Sequence, residues 1–254
     1  QLKKTLGIPF VITFHALGKV RKHHQGSADE FPPERLVIED QLVQEADVIV
    51  AECPQDKKHL IEHYHPDSSK ITIIPCGFDH NEFSPIDRLL ACNVLGLDPQ
   101  ARYILQLGRM VKRKGVEEVI RGFALYCQTN PDANVKLLIV GGESYLPDPD
   151  VTPEIGRLQN IAQRQGIADK VIFTGRRDRD VLKYYYNVAD VFLSTPWYEP
   201  FGITPLEAMA CGTPVIGSRV GGIQYSVKDG ETGRLVAPRN PQQISEALTE
   251  FFQN

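Results

Sequence analysis

Short runs of β-branched and apolar residues alternate with longer amphipathic stretches along almost the whole chain, and this rhythm admits few folds. Strands separated by a helix pair in parallel, so the chain is expected to build parallel sheets covered by crossover helices. In the first part, strands are expected at Phe10–Phe14, Asp47–Ala51 and Ile71–Pro75, with helices at Pro33–Ala46 and Pro54–Tyr64. Turn formers then dominate from Cys76 to Ala101 and predict a linker with a short helical piece. A second alternation puts strands at Tyr103–Leu107, Lys136–Val140, Val171–Phe173, Val191–Leu193, Pro214–Gly217 and Arg234–Val236. Its helices fall near Val116–Gln128, Glu154–Gln165, Asp178–Val188, Pro205–Ala210 and Pro241–Phe252. The expectation is an α/β chain with two Rossmann-like domains. The first, with its linker, covers residues 1–98 and reads as the back half of a domain truncated at its N-terminus. The second covers 99–254 and is complete.

Composition narrows the function. The 254 residues carry 28 Lys and Arg against 32 Asp and Glu, a net charge of −4. Such a balance removes the general electrostatic drive towards nucleic acid, so no nucleic-acid partner is expected. Five scattered cysteines without a CxxC pair suit reduced thiols in a cytoplasmic protein, and no metal-ligand spacing is present. No apolar run approaches the roughly 20 residues of a membrane span. Peripheral membrane contact stays open.

Ligands of open parallel sheets bind beyond the carboxyl ends of the strands, which directs attention to four segments. Gly108–Gly115 (GRMVKRKG) follows a strand with Arg109, Lys112, Arg113 and Lys114 just ahead of a helix. Cations there are unfavourable against the helix dipole unless an anion joins them, so the turn reads either as a solvated basic loop or as a phosphate clamp. Thr195–Pro214 holds Pro200, Gly202 and Pro205, with Thr204-Pro205 reading as the start of a short helix. The backbone N–H groups of Gly202, Ile203 and Thr204 would then offer an anion site. Glu207 fits a capping box with Thr204, whereas Glu199, among Trp197, Tyr198 and Phe201, has no structural duty of that kind. Gly141, in a strand-Gly-Gly turn, and Arg176, after Gly175, sit where backbone could approach a ligand closely. Finally, His15 follows the first strand directly. A lone histidine there reads first as structural, and His23 and His24 read as a solvated basic loop that makes no metal site.

Taken together in order, these residues resemble the retaining nucleotide-sugar glycosyltransferases of family 4 (group 1), with the GT-B fold. The resemblance rests on Glu199-Pro200-Phe201-Gly202 with Glu207 seven intervening residues on, and on Gly108-Arg109 with Lys114-Gly115. It rests further on Ile73-Ile74-Pro75 with Gly77 and Asp79, and on Ala189-Asp190-Val191-Phe192-Leu193. The stretch His15-Ala16-Leu17-Gly18 looks most like the sucrose-phosphate synthase branch. The resemblance implies that Arg109 and Lys114 bind the donor diphosphate, and that Glu199 holds the donor sugar's hydroxyls. Glu207 would hold the ribose. Phe201, Gly202, Ile203 and Thr204 would supply backbone donors, and His15 would reach the donor sugar from the other domain. Arg176 would lie by the base. Gln224 and Tyr225 depart from the Pro-Glu that often follows Gly-Gly-Ile in the family.

The implied activity is transfer of a sugar, with retention, from a nucleoside-diphosphate sugar to a hydroxyl acceptor. The donor is expected to be a UDP-sugar first and a GDP-sugar next. The acceptor would be a sugar, a sugar phosphate or a lipid-linked group. Neither a metal nor a cofactor is required, because two cations and a helix start can meet the charge on the leaving diphosphate. The catalytic set would be Glu199, His15, Arg109 and Lys114. A different class of reading is a nucleotide-sugar binding fragment without transfer.

Overall fold

The computed structural model describes residues 2–26 and 31–253. The outer limits of the expected domain spans, residues 1 and 254, lie outside the described residues. The chain forms two compact units, and the division is not a single cut. The first unit contains Gln1–Cys76, Tyr198–Gly202 and Val220–Tyr225, and the second holds the rest.

In the first unit, β1 (Val11–Thr13), β2 (Val48–Ala51) and β3 (Ile71–Ile73) form a parallel sheet in that order. Val11 stands opposite Val48 and Ile49 opposite Ile71. Helices α1 (Leu2–Leu6), α2 (Gly18–Gln25), α3 (Glu34–Glu45) and α4 (Pro54–Tyr64) accompany it. The core gathers Leu17, Val20, Val43, Ile49, Leu60 and Tyr64, with Tyr198 joining from the returning segment. α4 starts where expected: Pro54 occupies the first helical position, and the Cys53 sulfur accepts from Asp56 N. His23 and His24 are exposed, as a solvated basic segment requires, but the expected loop is corrected to a helix. Both sit in α2, whose inner face buries Gly18, Val20 and Arg21, and the His24 ring stacks on Tyr198 at 5.0 Å.

Residues 77–98 were assigned to the first domain, but they cluster with the second unit. The physical reason lies in their anchors. Helix α5 (Arg88–Leu95) is capped by Asp87, whose carboxylate accepts from Leu90 N. The Arg88 guanidinium donates to the carbonyls of Val188 and Ala101, each at 2.8 Å. Asn187 serves the same stretch, accepting from Ile86 N and donating to the Ser84 carbonyl.

The second unit contains a six-stranded parallel sheet of β4 (Arg102–Leu107), β5 (Val135–Val140), β6 (Val171–Gly175), β7 (Val191–Ser194), β8 (Val215–Ser218) and β9 (Gly233–Val236). Their order is β6-β5-β4-β7-β8-β9. The sheet is crossed by α6 (Val116–Thr129), α7 (Pro153–Arg164), α8 (Arg179–Val188), α9 (Ile203–Ala210) and α11 (Pro241–Gln253), with a single turn, α10 (Ile223–Ser226), between β8 and β9. Its inner strands β4, β5, β7 and β8 are largely buried on both faces, and Ile104, Leu137, Ile139, Val191 and Ile216 meet Phe123, Leu158 and Leu248 in one core. Gly122 permits the close docking of α6 and α11, since a Cβ there would stand 2.6 Å from the Ile244 side chain. Among the described residues, no helix is long and apolar enough to cross a membrane.

Candidate functional site

Because the chain lays β4 down first and then moves outward in both directions, β4 and β7 are neighbours whose connections leave on opposite sides. This is the topological switch point, where the loops beyond the strand ends part and leave a crevice. The two segments that follow these strands are the basic turn and the Thr195 loop.

They touch directly. Lys112–Lys114 form a single 3-10 turn closed by Gly115, whose φ of +70° lies in the left-handed region. A Cβ on Gly115 would stand 2.0 Å from the Thr195 carbonyl oxygen, so only glycine allows this approach. Thr195 Oγ1 donates to the Gly115 carbonyl at 3.3 Å, and Trp197 N donates to the Arg113 carbonyl at 2.8 Å. Trp197 is itself held on both sides. Its indole N–H donates to Glu118 at 3.0 Å, and the Arg239 guanidinium lies 3.8 Å above its ring. Arg109 is exposed and Lys114 half-buried on this shared ledge.

α9 begins at Ile203, two residues earlier than the sequence suggested. Pro205 is then the third helical residue, where its missing N–H costs nothing because the first turn has no intrahelical acceptor. Gly202 precedes the helix with a φ of +92°. The first-turn amides of Ile203 and Thr204 are thus at a helix start, as required of anion donors. The capping box between Thr204 and Glu207 is overturned, however. With the helix starting at Ile203, Glu207 is its fifth residue and too far along to reach back.

Glu207 is instead 3% exposed, accepting from Tyr186 Oη at 2.8 Å and pairing with Arg179 at 3.2 Å. Burial, reinforced by the Glu207 charge, holds the Tyr186 hydroxyl well above its ordinary pKa, so it stays a donor. Arg179 also bonds Glu82 at 2.8 Å and lies over Phe83. These partners were missed, since nothing local couples α8 to a carboxylate on α9.

Gly141 has a packing role in the fold. Its Cβ would stand 2.0 Å from the Gly108 carbonyl oxygen and its N–H donates to Gly175, so chain packing already uses both. Arg176 is exposed, with its N–H donating to the Ser144 carbonyl at 2.7 Å.

The remaining expected residues belong to the first unit. Tyr198 and Phe201 are buried and Glu199 is half-buried. The Pro200 carbonyl accepts from the Cys53 thiol at 3.4 Å, and Gly222 N donates to the same carbonyl at 2.9 Å. Gln224, which departs from the family pattern, donates to Gln55 Oε1 at 2.6 Å, and Gly221 N donates to the same oxygen. In this way the segments 198–202 and 220–225 are fastened to the start of α4. His15 Nδ1 lies 2.5 Å from Glu52 Oε1, and the Cys76 thiol donates to that oxygen at 3.2 Å. Burial, and then the Glu52 carboxylate, push the Cys76 thiol up to about 12. Asp56, which accepts from Glu52 N, is pushed up to about 6 by burial. Glu52 and Cys76 escaped the sequence reading, although Glu52 follows β2 even more closely than His15 follows β1.

Known proteins establish the family and the fold. The model of the glycosyl transferases group 1 matches residues 91–254, and that of glycosyltransferase family 4 matches residues 1–82. The chain is 34% identical over 249 residues to D-inositol 3-phosphate glycosyltransferase 2 of Catenulispora acidiphila, covering 97% of this chain and 57% of that protein. The chain belongs to the group 1 glycosyltransferases.

Among solved structures, this group 1 glycosyltransferase chain superposes on the sucrose-phosphate synthase of Thermosynechococcus elongatus with a TM-score of 0.85 and 31% identity, covering 100% of this chain and 61% of that one. HepE of Anabaena in complex with UDP and glucose shares the fold at a TM-score of 0.81 and 22% identity, over 99% of this chain and 64% of that one. The fold is therefore the α/β GT-B type expected. The chain spans a little over half the length of the curated relatives it matches.

Proposed function

We propose that the protein transfers a sugar from a nucleoside-diphosphate sugar, a UDP-sugar by preference, to a hydroxyl acceptor with retention at the anomeric carbon. The observation that carries this reading is the contact of the basic turn with the post-β7 segment at the switch point of the second sheet. As the glycosidic bond breaks, negative charge gathers on the leaving diphosphate and positive charge on the sugar. Arg109, Lys114 and the first-turn amides of Ile203 and Thr204 are assigned to the diphosphate, where fixed charges and dipoles need no reorganisation. Glu207 is assigned to the ribose and Arg176 to the base. Glu199 and His15, with Phe201 and Gly202 beside Glu199 in the chain, are assigned to the donor sugar.

Retention follows from attack on the same face. The acceptor oxygen bonds to the anomeric carbon, the carbon–phosphate oxygen bond breaks, and that oxygen takes the acceptor's proton. Glu207 does not serve as a second flanking carboxylate of the glycosidase kind, because it is assigned to the ribose. This route draws on no metal or cofactor. UDP is favoured as leaving group because a solved neighbour binds it. The relatives named for inositol 3-phosphate support a phosphorylated polyol or sugar as acceptor.

A thermal-shift panel of nucleoside diphosphates and their sugars tests the donor class, since a ligand that binds only the folded state raises its stability. A coupled diphosphate-release assay with inositol phosphates and sugar phosphates tests transfer. Stabilisation by UDP and acceptor-dependent release are expected. Binding without release from the full-length protein would recast it as a donor-binding module, and no nucleotide response would overturn the reading.

A further inference from the structure

The first sheet ends in a cluster that the transfer reaction leaves largely unused. Three parallel neighbours each deliver one donor at their carboxyl ends: His15 two residues beyond β1, Glu52 immediately after β2, and Cys76 three residues beyond β3. One imidazole nitrogen, one carboxylate oxygen and one sulfur lie within 4.8 Å of one another, and no other three such donors converge this closely among the described residues. Glu52 is 3% exposed, yet both of its nearest partners are themselves metal-ligating groups rather than the Lys or Arg that a buried carboxylate ordinarily recruits.

We propose that His15, Glu52 and Cys76 form a three-donor site for a divalent transition metal, with Zn2+ the best match. The mixed N, O and S set excludes Mg2+ and Ca2+, which take oxygen ligands, and suits a borderline-soft ion. Tetrahedral zinc with bonds of about 2.0–2.3 Å separates its ligands by roughly 3.3–3.7 Å. The hydrogen-bonded pairs at 2.5 and 3.2 Å need to open by less than about an ångström to accept it. That adjustment is available. The His15 side chain is 75% exposed, and Cys76 sits in the loop after β3, while Glu52 stays anchored. With three protein ligands, the fourth position is open to water or a ligand.

Binding carries a proton consequence. The ion replaces the proton that Cys76 shares with Glu52, and that proton leaves to solvent. It also takes His15 Nδ1, so the imidazole proton resides on Nε2. Nε2 is then a hydrogen-bond donor. The site thus sets which hydrogen bond His15 can offer, without entering the phosphate chemistry.

Titration of the metal-stripped protein with Co2+, followed by displacement with Zn2+, tests the site. Roughly one equivalent of Co2+ should bind and show a thiolate-to-cobalt charge-transfer band, which Zn2+ then bleaches. Cys76→Ser should abolish the band and weaken Zn2+ binding about tenfold or more, and Cys53→Ser should leave both intact. Should Cys76→Ser fail to fold, Glu52→Gln carries the test: the band stays and affinity falls about tenfold. Binding without a thiolate band, a band that survives Cys76→Ser, or no binding at micromolar metal would overturn the proposal. The titration uses no sugar donor, so its failure leaves the transfer reading untouched.

Discussion

The carboxyl edges of the two sheets are built from opposite materials. Beyond the first sheet stand groups that gain or lose protons, His15, Glu52 and Cys76, with Asp56 beneath them. Beyond β4 and β5 and at the last residue of β6 stand glycines with positive φ, at Gly108, Gly141, Gly142 and Gly175, together with Arg109 and Lys114. Both edges come from the same strand-helix alternation, so topology alone does not tell them apart. On the proposed function, what differs is the demand on them. A diphosphate is charged at every working pH and is met best by permanent cations and by backbone brought close. Orienting a hydroxyl or an imidazole instead calls for groups whose proton can be placed.

The largest expected effect breaks the comparison on the fixed-charge side. Lys114→Ala should lower turnover by about two to three orders of magnitude in a diphosphate-release assay on the full-length protein, as loss of one preorganised charge-stabilising donor does elsewhere. Near-normal turnover would remove the phosphate assignment.

Close approach at the second edge can be separated from backbone conformation by a pair of glycines. Gly115 and Gly166 share nearly the same φ, +70° and +71°, but a Cβ would meet the Thr195 carbonyl at Gly115 and nothing within 4 Å at Gly166. Gly166→Ala should cost only the left-handed penalty of about 1–2 kcal/mol, and Gly115→Ala about 3 kcal/mol or more, read as shifts in denaturant midpoint. Equal costs would mean that the turn and the Thr195 segment can part freely.

At the first edge the expected change is smaller and of a different kind. Glu52→Gln removes the acceptor charge that orients His15. It should reduce kcat by about tenfold while leaving the UDP dissociation constant unchanged. An equal loss in nucleotide affinity would erase the distinction between the edges.

The smallest effect concerns the ion pairs of α6, the helix that follows the basic turn. The Arg157 and Arg121 guanidiniums hold the Glu117 carboxyl below its ordinary pKa, with the Arg157 hydrogen bond the largest influence. A lowered folded-state pKa contributes stability above the unfolded value of 4.5, and this is lost as pH falls through the folded value. Since these side chains are about a third exposed, Glu117→Gln should cost under about 1 kcal/mol at pH 7. The difference from the unaltered protein should disappear in acid, as followed by denaturation at a series of pH values.

Much of this was legible in advance, and the misses have a common form. Gly108–Gly115 and the residues after β7 could be singled out because glycines and cations at a strand end are a local pattern. The start of α9 was misplaced because Pro205 reads as a first helical residue, although a third-position proline is equally free of penalty. α2 was missed because its inward face is short and its exposed histidines and its lysines read as a loop. Cys76 and Glu52 went unread because neither is distinctive in its own window.

The alternation of strands and helices, the parallel pairing it compels and the chemistry placed after each strand were determined by the sequence itself, because backbone hydrogen bonding and burial repeat over a few residues. The tertiary structure alone decided that β4 and β7 are neighbours, that Gly115 lies against Thr195, that Glu207 answers to Tyr186 and Arg179, and that His15 meets Glu52 and Cys76. Those pairs lie from 21 to 87 residues apart. Only the closing of long loops around a shared core brings such residues together, and no short stretch of chain encodes that distance.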